Sequence, residues 1–242
     1  MAFGEATAER VESINQTVPS TVEWKGYQLI NASVADTVGW LSRVVTEKGY
    51  QRLSFASAHT FYLAEHDPYY ATALRRISGL LTDRSGVAAI NRNTDYRTLV
   101  HLNARQIIPR LFDSLSSGTK IFLIGASPAQ AQHLASNIGE AWPHLCLVGN
   151  EIGDFEAWEA ANLVNTINAS HADIVIAGMD TPRQEQWMDR HAATINAPLV
   201  LGVGGLFEFM ASHAFGGTLC TADRHANGSW RFHLKGPALI RS

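Results

Sequence analysis

Cysteine, excess charge and long apolar runs are all scarce in this 242-residue sequence. Its two cysteines, Cys146 and Cys220, have neither the number nor the spacing of a metal cage or a disulfide framework, so we expect a reducing cytoplasm. The 19 basic and 22 acidic side chains give a net charge of −3, which argues against general binding to nucleic acid. No apolar run approaches the roughly 18 residues of a membrane span. Any contact with a membrane is therefore expected to be peripheral.

Several ligand-binding signatures are also missing. The sequence has no complete G-x-G-x-x-G fingerprint and no Walker loop, which weakens a dehydrogenase or P-loop interpretation. It has no Asp-x-Asp pair of the kind that holds a metal against a nucleotide diphosphate. The ten histidines are scattered without the spacing of metal ligands, and we expect them on the surface or in the core.

Short apolar strand patterns alternate with amphipathic helix patterns over most of the chain. Residues 120–124 predict a strand and residues 129–141 the helix after it, whereas residues 60–76 are predicted as one helix and residues 82–86 as a turn. This order predicts an α/β fold, a Rossmann-like and predominantly parallel sheet with helices on both faces. We divide the chain into a flexible N-terminal arm (1–20), an α/β domain (21–212) and a short C-terminal segment (213–242).

Residues 172–210 form the most informative stretch. Two short apolar strands, at residues 174–177 and 199–203, each end in glycine and enclose a helix pattern at residues 184–193. Strand, helix and strand in this order make a crossover unit of a parallel sheet. Gly178 and residues 202–205 then fall at the carboxyl ends of strands, where open α/β sheets bind ligands.

Other residues have two interpretations that the sequence leaves open. The turn at Gly125 and Ser127 lies between a strand and a capped helix, which suits a diphosphate but also describes an ordinary turn. Asp83, in a loop, suits either a general base or a turn-forming residue. Gln184 and Glu185, at a helix start after Pro182, suit either ligand contact or helix capping.

Two motifs carry a resemblance to a known family. Residues 178–187 read GMDTPRQEQW and residues 202–209 read GVGGLFEF. They resemble the G-x-P-[KR]-Q-E-x-W and G-V-G-G-x-F-D-F blocks of the bacterial WecG/TagA/CpsF glycosyltransferases. The similarity continues from residue 53 to residue 210, and it includes residues 82–87, where the family has D-G-x-G, and residues 120–128, where it has a strand ending in G-x-x-P.

The resemblance implies an activity and a set of partners. Such enzymes are metal-independent inverting transferases that need no cofactor. They move a sugar, N-acetylmannosamine in the best-known cases, from a UDP-sugar to a polyprenyl-diphosphate-linked sugar during assembly of exopolysaccharide or other surface polysaccharides. They work in the cytoplasm, peripherally at the inner face of the bacterial plasma membrane. Nucleic acid is not an expected partner, and a homo-oligomer is left open.

The resemblance also assigns residues to roles. The family's proposed base, the aspartate of D-G-x-G, falls on Asp83, and its nucleotide-binding glutamine falls on Gln184. The residues expected to bind the donor are Gly125, Ser127, Gly178, Arg183, Gln184, Glu185, Gly204 and Gly205.

This chain departs from the family at several positions, which marks it as a divergent member. The family's T-x-N is here residues 55–57, FAS; its D-G-x-G is residues 83–86, DRSG; and its R-x-T-G-x-D is residues 101–106, HLNARQ. The acceptor or donor pocket is therefore expected to include Ser57, Arg84, Arg97, His101 and Gln106, and Arg105 is an alternative replacement for the family's arginine. The same departures support an alternative function, a catalytically silent relative that binds or scaffolds a polysaccharide assembly complex.

Residues 230–235 alternate aromatic or apolar side chains with basic ones. In the family this region helps to bring the active site to the membrane, and such a mixture suits an anionic lipid surface. A tail helix or edge strand that packs on the sheet explains the pattern equally well. A membrane-proximal role for the C-terminal segment is thus one of two expectations.

Overall fold

The computed structural model describes residues 19–92, 98–153, 159–212, 220–224 and 230–234. The strands are β1 (Thr21–Trp24), β2 (Tyr27–Ile30), β3 (Gln51–Ala56), β4 (Gly79–Thr82), β5 (Lys120–Ile124), β6 (Cys146–Glu151), β7 (Ile174–Ala177), β8 (Leu199–Gly202), β9 (Cys220–Arg224) and β10 (Trp230–Leu234). The α-helices are α1 (Val34–Thr46), α2 (Ala58–His66), α3 (Pro68–Arg76), α4 (Arg84–Asn91), α5 (Ala104–Ser114), α6 (Pro128–Ala141), α7 (Glu159–Ser170), α8 (Arg183–His191) and α9 (Leu206–Ser212).

Eight strands form one sheet in the order β1-β2-β4-β3-β8-β7-β5-β6. β1 and β2 pair antiparallel at one edge, and the remaining neighbours pair parallel. The predicted Rossmann-like α/β fold is confirmed. The first 18 residues, which make up most of the predicted N-terminal arm, lie outside the described residues.

Side chains of the central strands alternate between the two faces of the sheet, as the two-residue period of a strand requires. In β5, Ile121 and Leu123 belong to one apolar core, which α1, α5, α6 and α9 cover. Phe122 and Ile124 belong to the core on the opposite face, under α7 and α8. A third cluster, under α2, α3 and α4, includes Leu80 of β4. Helices therefore cover both faces of the sheet.

Polar side chains separate the second and third of these apolar clusters. We use the name polar seam for Arg52 and Ser54 of β3, Gln184 and Glu185 of α8, and the hydroxyl of Tyr70 on α3. All five residues are buried. A buried polar group is costly unless it is hydrogen-bonded. Arg52 donates to the backbone carbonyls of Ile195 and Ala197, and the other four side chains bond to one another.

The segment predicted as one helix over residues 60–76 is two helices. α2 ends at His66, and Asp67 caps the start of α3 by accepting hydrogen bonds from the backbone N–H groups of Tyr69 and Tyr70. Pro68 takes the first position of α3, where its missing N–H has no cost. The predicted turn at residues 82–86 is also shorter than expected, because α4 begins at Arg84 with Asp83 as its cap.

The two C-terminal strands form a separate antiparallel pair beside the main sheet. The backbone of β9 approaches α6, and the backbone of β10 approaches β6. The backbone of this pair therefore lies near the β6 edge of the sheet.

No helix within the described ranges is long and apolar enough to cross a membrane.

Candidate active site

Two cavities open at the carboxyl ends of the parallel strands. The large cavity has a volume of about 820 Å³ and lies among the residues that follow β5, β6, β7 and β8. The small cavity has a volume of about 340 Å³ and lies among those that follow β3, β4 and β8. Gly204 and Gly205 line both cavities. We call this pair the shared wall.

Glycines bring bare backbone to the floor of the large cavity. Gly125 has φ +116°, and a Cβ on it would lie 2.6 Å from the backbone carbonyl of Gly178. A Cβ on Gly178 would in turn lie 2.5 Å from the ring of Phe207. Side chains larger than hydrogen are excluded at both positions. A ligand can therefore approach the main chain of two neighbouring strand ends.

The large cavity also receives the amino end of α6. Ser127 caps this helix through its Oγ, which accepts the N–H of Gln130 at 3.3 Å, while the Gln130 Oε1 accepts the N–H of Ser127 at 3.0 Å. The positive end of the helix dipole thus lies at the cavity, and Arg183, at the start of α8, adds a cation. Two exposed carboxylates, Asp180 and Glu208, line it as well. The cavity presents positive charge suited to a diphosphate and acceptors suited to hydroxyl groups.

Within the described residues, no group of three or more His, Cys, Asp or Glu side chains is placed to hold a metal ion. Arg183 and the amino end of α6 carry positive charge on the lining of the large cavity.

Asp83 lines the small cavity as the N-cap of α4. Its Oδ1 accepts hydrogen bonds from the N–H of Gly86 at 2.8 Å and from the hydroxyl of Ser85 at 2.7 Å. Its Oδ2 has no hydrogen-bond partner among the described residues. The carboxylate is half-buried. One oxygen is thus fixed by the helix cap while the other is available to a ligand.

Other polar side chains complete the small cavity. Ser57 caps α2 in a reciprocal bond with Thr60, and both residues line the cavity. Among the described residues that line it, Arg105 is the only cation, and its guanidinium lies 4.3 Å from the ring centroid of Phe209. Stacking on an aromatic ring restricts an arginine without neutralising it. The small cavity therefore combines an aspartate, hydroxyls and one held cation.

Gln184 and Glu185 lie beneath the shared wall and line neither cavity. The Gln184 side chain is 1% exposed; its Oε1 accepts the N–H of Gly204 at 2.9 Å, and its Nε2 donates to Glu185 at 2.7 Å and to Ser54 at 3.1 Å. Glu185 is 0% exposed. Its Oε1 also accepts the Ser54 hydroxyl at 2.7 Å, and its Oε2 accepts the Tyr70 hydroxyl at 3.2 Å. The seam is thus hydrogen-bonded to the shared wall.

Burial changes the acidity of both ionisable groups in this part of the seam. Burial raises the pKa of Glu185, and hydrogen bonds from Ser54, Gln184 and Tyr70 partly oppose the rise. Burial also raises the pKa of Tyr70, with the Glu185 charge acting in the same direction. The hydroxyls of Thr60 and Thr181, which line the small cavity, partly oppose this rise in the pKa of Tyr70. Tyr70 therefore stays protonated and connects Glu185 to that cavity.

The structure brings together most of the residues that the sequence selects. The large cavity is lined by six of the predicted donor residues: Gly125, Ser127, Gly178, Arg183, Gly204 and Gly205. Asp83 and Ser57 line the small cavity. The exposed residues Arg84, His101 and Gln106 line neither cavity, and Arg97 lies outside the described residues.

Sequence reasoning missed Ser54, Tyr70, Thr60 and Thr181. Ser54 and Tyr70 lie inside a strand and a helix, where nothing local marks them as site residues. Thr60 carried a signal, since it follows Ser57 by three residues as in a capping box. Thr181 belongs to the turn before α8, inside one of the two motifs.

Comparison with protein families matches residues 22–214 to the family described as Glycosyl transferase WecG/TagA/CpsF family. The matched region covers well over half of the chain and contains every residue that lines the two cavities. The resemblance carried by the two motifs is confirmed. The chain belongs to the WecG/TagA/CpsF family of glycosyltransferases, whose members serve the biosynthesis of cell-surface polysaccharides.

Proposed function

We propose that this protein is an inverting glycosyltransferase that moves a hexosyl or N-acetylhexosaminyl group from a UDP-sugar to a polyprenyl-diphosphate-linked acceptor in exopolysaccharide or other surface polysaccharide synthesis. One observation carries the proposal: Asp83 lines a cavity that shares the wall of Gly204 and Gly205 with a second cavity suited to a nucleotide diphosphate. The shared lining supports placing the base and the donor on the two sides of one backbone segment.

The UDP-sugar occupies the large cavity. Its volume lies within the range of small-molecule sites, about 300 to 1,000 Å³. The diphosphate lies at the amino end of α6, near Ser127 and Arg183, where backbone N–H groups, the helix dipole and a guanidinium all favour an anion. The carboxylates of Asp180 and Glu208 accept hydrogen bonds from ribose or sugar hydroxyls. These groups provide the positive charge without a metal ion.

The acceptor enters the small cavity. The free Oδ2 of Asp83 takes the proton of the acceptor hydroxyl, and the oxygen attacks the anomeric carbon from the face opposite the leaving group. The bond between that carbon and the diphosphate oxygen breaks, UDP leaves with the electron pair, and the configuration inverts. Arg105 supports the diphosphate of the acceptor, because it is the cation of that cavity.

The lipid-linked acceptor places the reaction at the inner face of the plasma membrane, with the enzyme bound peripherally. The alternating aromatic and basic sequence at residues 230–235 supports this placement.

Asp83→Asn tests the role of the base. Asparagine preserves the helix cap because its side-chain oxygen also accepts backbone N–H bonds, so folding and UDP binding are expected to stay within about twofold of wild type. The transfer rate is expected to fall by about 10² to 10⁴. Asp67→Asn is the matched control, since Asp67 caps α3 and lines neither cavity.

Calorimetry with UDP measures donor binding, and mass spectrometry of products from UDP-sugars and extracted lipid-linked acceptors measures transfer. Full activity of the Asp83→Asn variant rejects this aspartate as the base. Absence of any UDP binding by the wild type rejects the donor site. Transfer by the wild type rejects the silent scaffold as the function of this chain.

A further inference from the structure

We propose that Glu185 is a positioning residue for sugar transfer, whose Oε1 atom fixes the Gln184 amide and thereby the shared wall of Gly204 and Gly205. The proposal rests on the proposed function, because it assigns to this wall a donor on one side and an acceptor on the other. Glu185 touches neither cavity, so it acts only through its neighbours.

The contact with Gly204 fixes the orientation of the Gln184 amide. A backbone N–H can only donate, so the group 2.9 Å from the nitrogen of Gly204 must be the amide oxygen of Gln184. The Gln184 Nε2 must then donate on its other side, toward Glu185 at 2.7 Å and Ser54 at 3.1 Å. The amide orientation that holds Gly204 therefore requires an acceptor at the position of Glu185.

Glu185 supplies the acceptor that this orientation of the Gln184 amide requires. Oε1 of Glu185 accepts both the Gln184 amide and the Ser54 hydroxyl, each at 2.7 Å. A carboxyl oxygen can accept two hydrogen bonds whether the group is ionised or protonated on its other oxygen. The position of Oε1, rather than the charge of Glu185, is thus what the Gln184 amide requires.

The space around the Gln184 amide is also limited. A Cβ on Gly202 would lie 2.4 Å from the Gln184 Nε2 and 2.8 Å from the Ser54 Oγ. The Gln184 amide therefore packs directly against the backbone of β8 and has no room for a second position on that side. Gly204 itself has φ +54°, a conformation that side chains rarely adopt. The hydrogen bond that the Gly204 N–H donates to the Gln184 Oε1 fixes this unusual turn from below.

A second connection runs from Glu185 to the small cavity. Its Oε2 accepts the Tyr70 hydroxyl, whose pKa, raised by burial, is lowered in part by the neighbouring hydroxyls of Thr60 and Thr181. Both threonines line the small cavity. One buried carboxyl group is thus linked to the walls on both sides of the transfer reaction.

Two substitutions separate the effect of side-chain length at position 185 from the effect of its charge. Glu185→Gln removes the charge and keeps an oxygen at the position of Oε1, while its Nε2 donates to the Tyr70 oxygen. Glu185→Asp keeps the charge and withdraws the carboxyl by one carbon–carbon bond, about 1.5 Å, beyond the reach of the Gln184 amide. Glu65→Gln and Glu65→Asp, at an exposed glutamate on α2, are the matched controls.

We expect the glutamine variant to keep UDP affinity and transfer rate within about threefold of wild type. We expect the aspartate variant to weaken UDP binding by about five- to tenfold, the effect of one lost hydrogen bond. Its transfer rate falls further because both cavities are disturbed. Hydrogen exchange at the amide of Gly204 is slow in the wild type and the glutamine variant and fast in the aspartate variant.

The exchange measurement makes the proposal independent of activity. If the wild type transfers no sugar but the Gly204 amide loses protection only in the aspartate variant, the proposed function fails and the positioning contact stands. The opposite pattern, an active aspartate variant and an inactive glutamine variant, would falsify positioning by Oε1. Equal exchange at Gly204 in wild type and both variants overturns it as well.

Discussion

Two carboxyl groups at the site differ in what surrounds them. Asp83 is half-buried and has one oxygen free, whereas Glu185 is fully buried and both of its oxygens accept hydrogen bonds. A base needs contact with the proton that it removes, and of these two groups Asp83 meets that condition. These surroundings support the proposed roles, proton removal for Asp83 and positioning for Glu185.

The raised pKa of Glu185 predicts how stability changes with pH. A group whose pKa is higher in the folded state contributes stability below its unfolded pKa, and this contribution is lost as pH rises through the folded pKa. Glu185→Gln cannot ionise, so its free energy of unfolding should rise relative to wild type as the pH increases above the ordinary glutamate pKa of about 4.3. Urea unfolding at several pH values measures the difference.

Glu65→Gln provides the control of opposite sign. A hydrogen bond from Lys25 lowers the pKa of Glu65, which is exposed. Its replacement should therefore cost stability at neutral pH and none once Glu65 is protonated. A stability difference for the Glu185 variant that is independent of pH would contradict the prediction.

Gly202 and Gly205 make a second prediction at the residue scale. A Cβ on Gly202 would collide with Gln184, whereas a Cβ on Gly205 meets nothing within 4 Å. Gly202→Ala should therefore lower the free energy of unfolding by about 1 to 3 kcal/mol and weaken UDP binding. Gly205→Ala should change stability by less than about 0.5 kcal/mol. Equal urea midpoints for the two variants would show that Gln184 has room to move.

Single residues also show where sequence reasoning stops. The positions of Gln184 and Glu185 at a helix start leave ligand contact and helix capping equally open, and the family resemblance is what adds them to the expected donor site. They are buried because Ser54, 130 positions from Gln184, and Tyr70, 115 positions from Glu185, offer them partners. Such distant pairings leave no periodic signal in the chain. The cavity glycines, by contrast, follow from their places at strand ends, and Asp83 follows from the resemblance to the family's D-G-x-G.

At the scale of elements, α2 and α6 begin with the same reciprocal cap at different cavities. Ser57 caps α2 beside the small cavity, and Ser127 caps α6 beside the large one. Ser57→Ala and Ser127→Ala should each lower the free energy of unfolding by about 1 kcal/mol. Only Ser127→Ala should weaken UDP binding, while only Ser57→Ala should raise the KM for the lipid-linked acceptor.

Each of these variants is the control for the other, because the lost cap is the same. Calorimetry with UDP and initial rates at varied acceptor concentration measure the two effects. Loss of UDP affinity in both variants would mean that the cavities do not divide donor from acceptor.

Helices and strands differ in how clearly the sequence predicts them. β5 and α6 are apparent because five apolar-rich residues precede a serine cap and a proline. The break between α2 and α3 is signalled by Asp67 and Pro68, but the apolar spacing continues across it and suggests one helix. β4 has only four residues, which is too few for its apolar periodicity to predict a strand.

At the scale of the whole molecule, the alternation of strands and helices predicts a parallel sheet, but not the order of its strands. β4 and β5 are consecutive in sequence, yet β3, β8 and β7 lie between them. This crossing makes β3 a neighbour of β8 and brings Asp83 to the wall formed after β8. The pairing joins segments more than a hundred residues apart, and such long-range contacts are not encoded in any local window.

The close packing around the Gln184 amide has a consequence for the evolution of this protein. Gly202, Ser54, Gln184 and Glu185 fit one another at the level of single atoms, so a replacement at one position alters what the others tolerate. A descendant with a side chain at position 202 has to replace the Gln184 amide, and a descendant without an acceptor at position 185 has to lose the amide's donor as well. Substitutions at these four positions are therefore coupled, and we expect them to appear together or not at all.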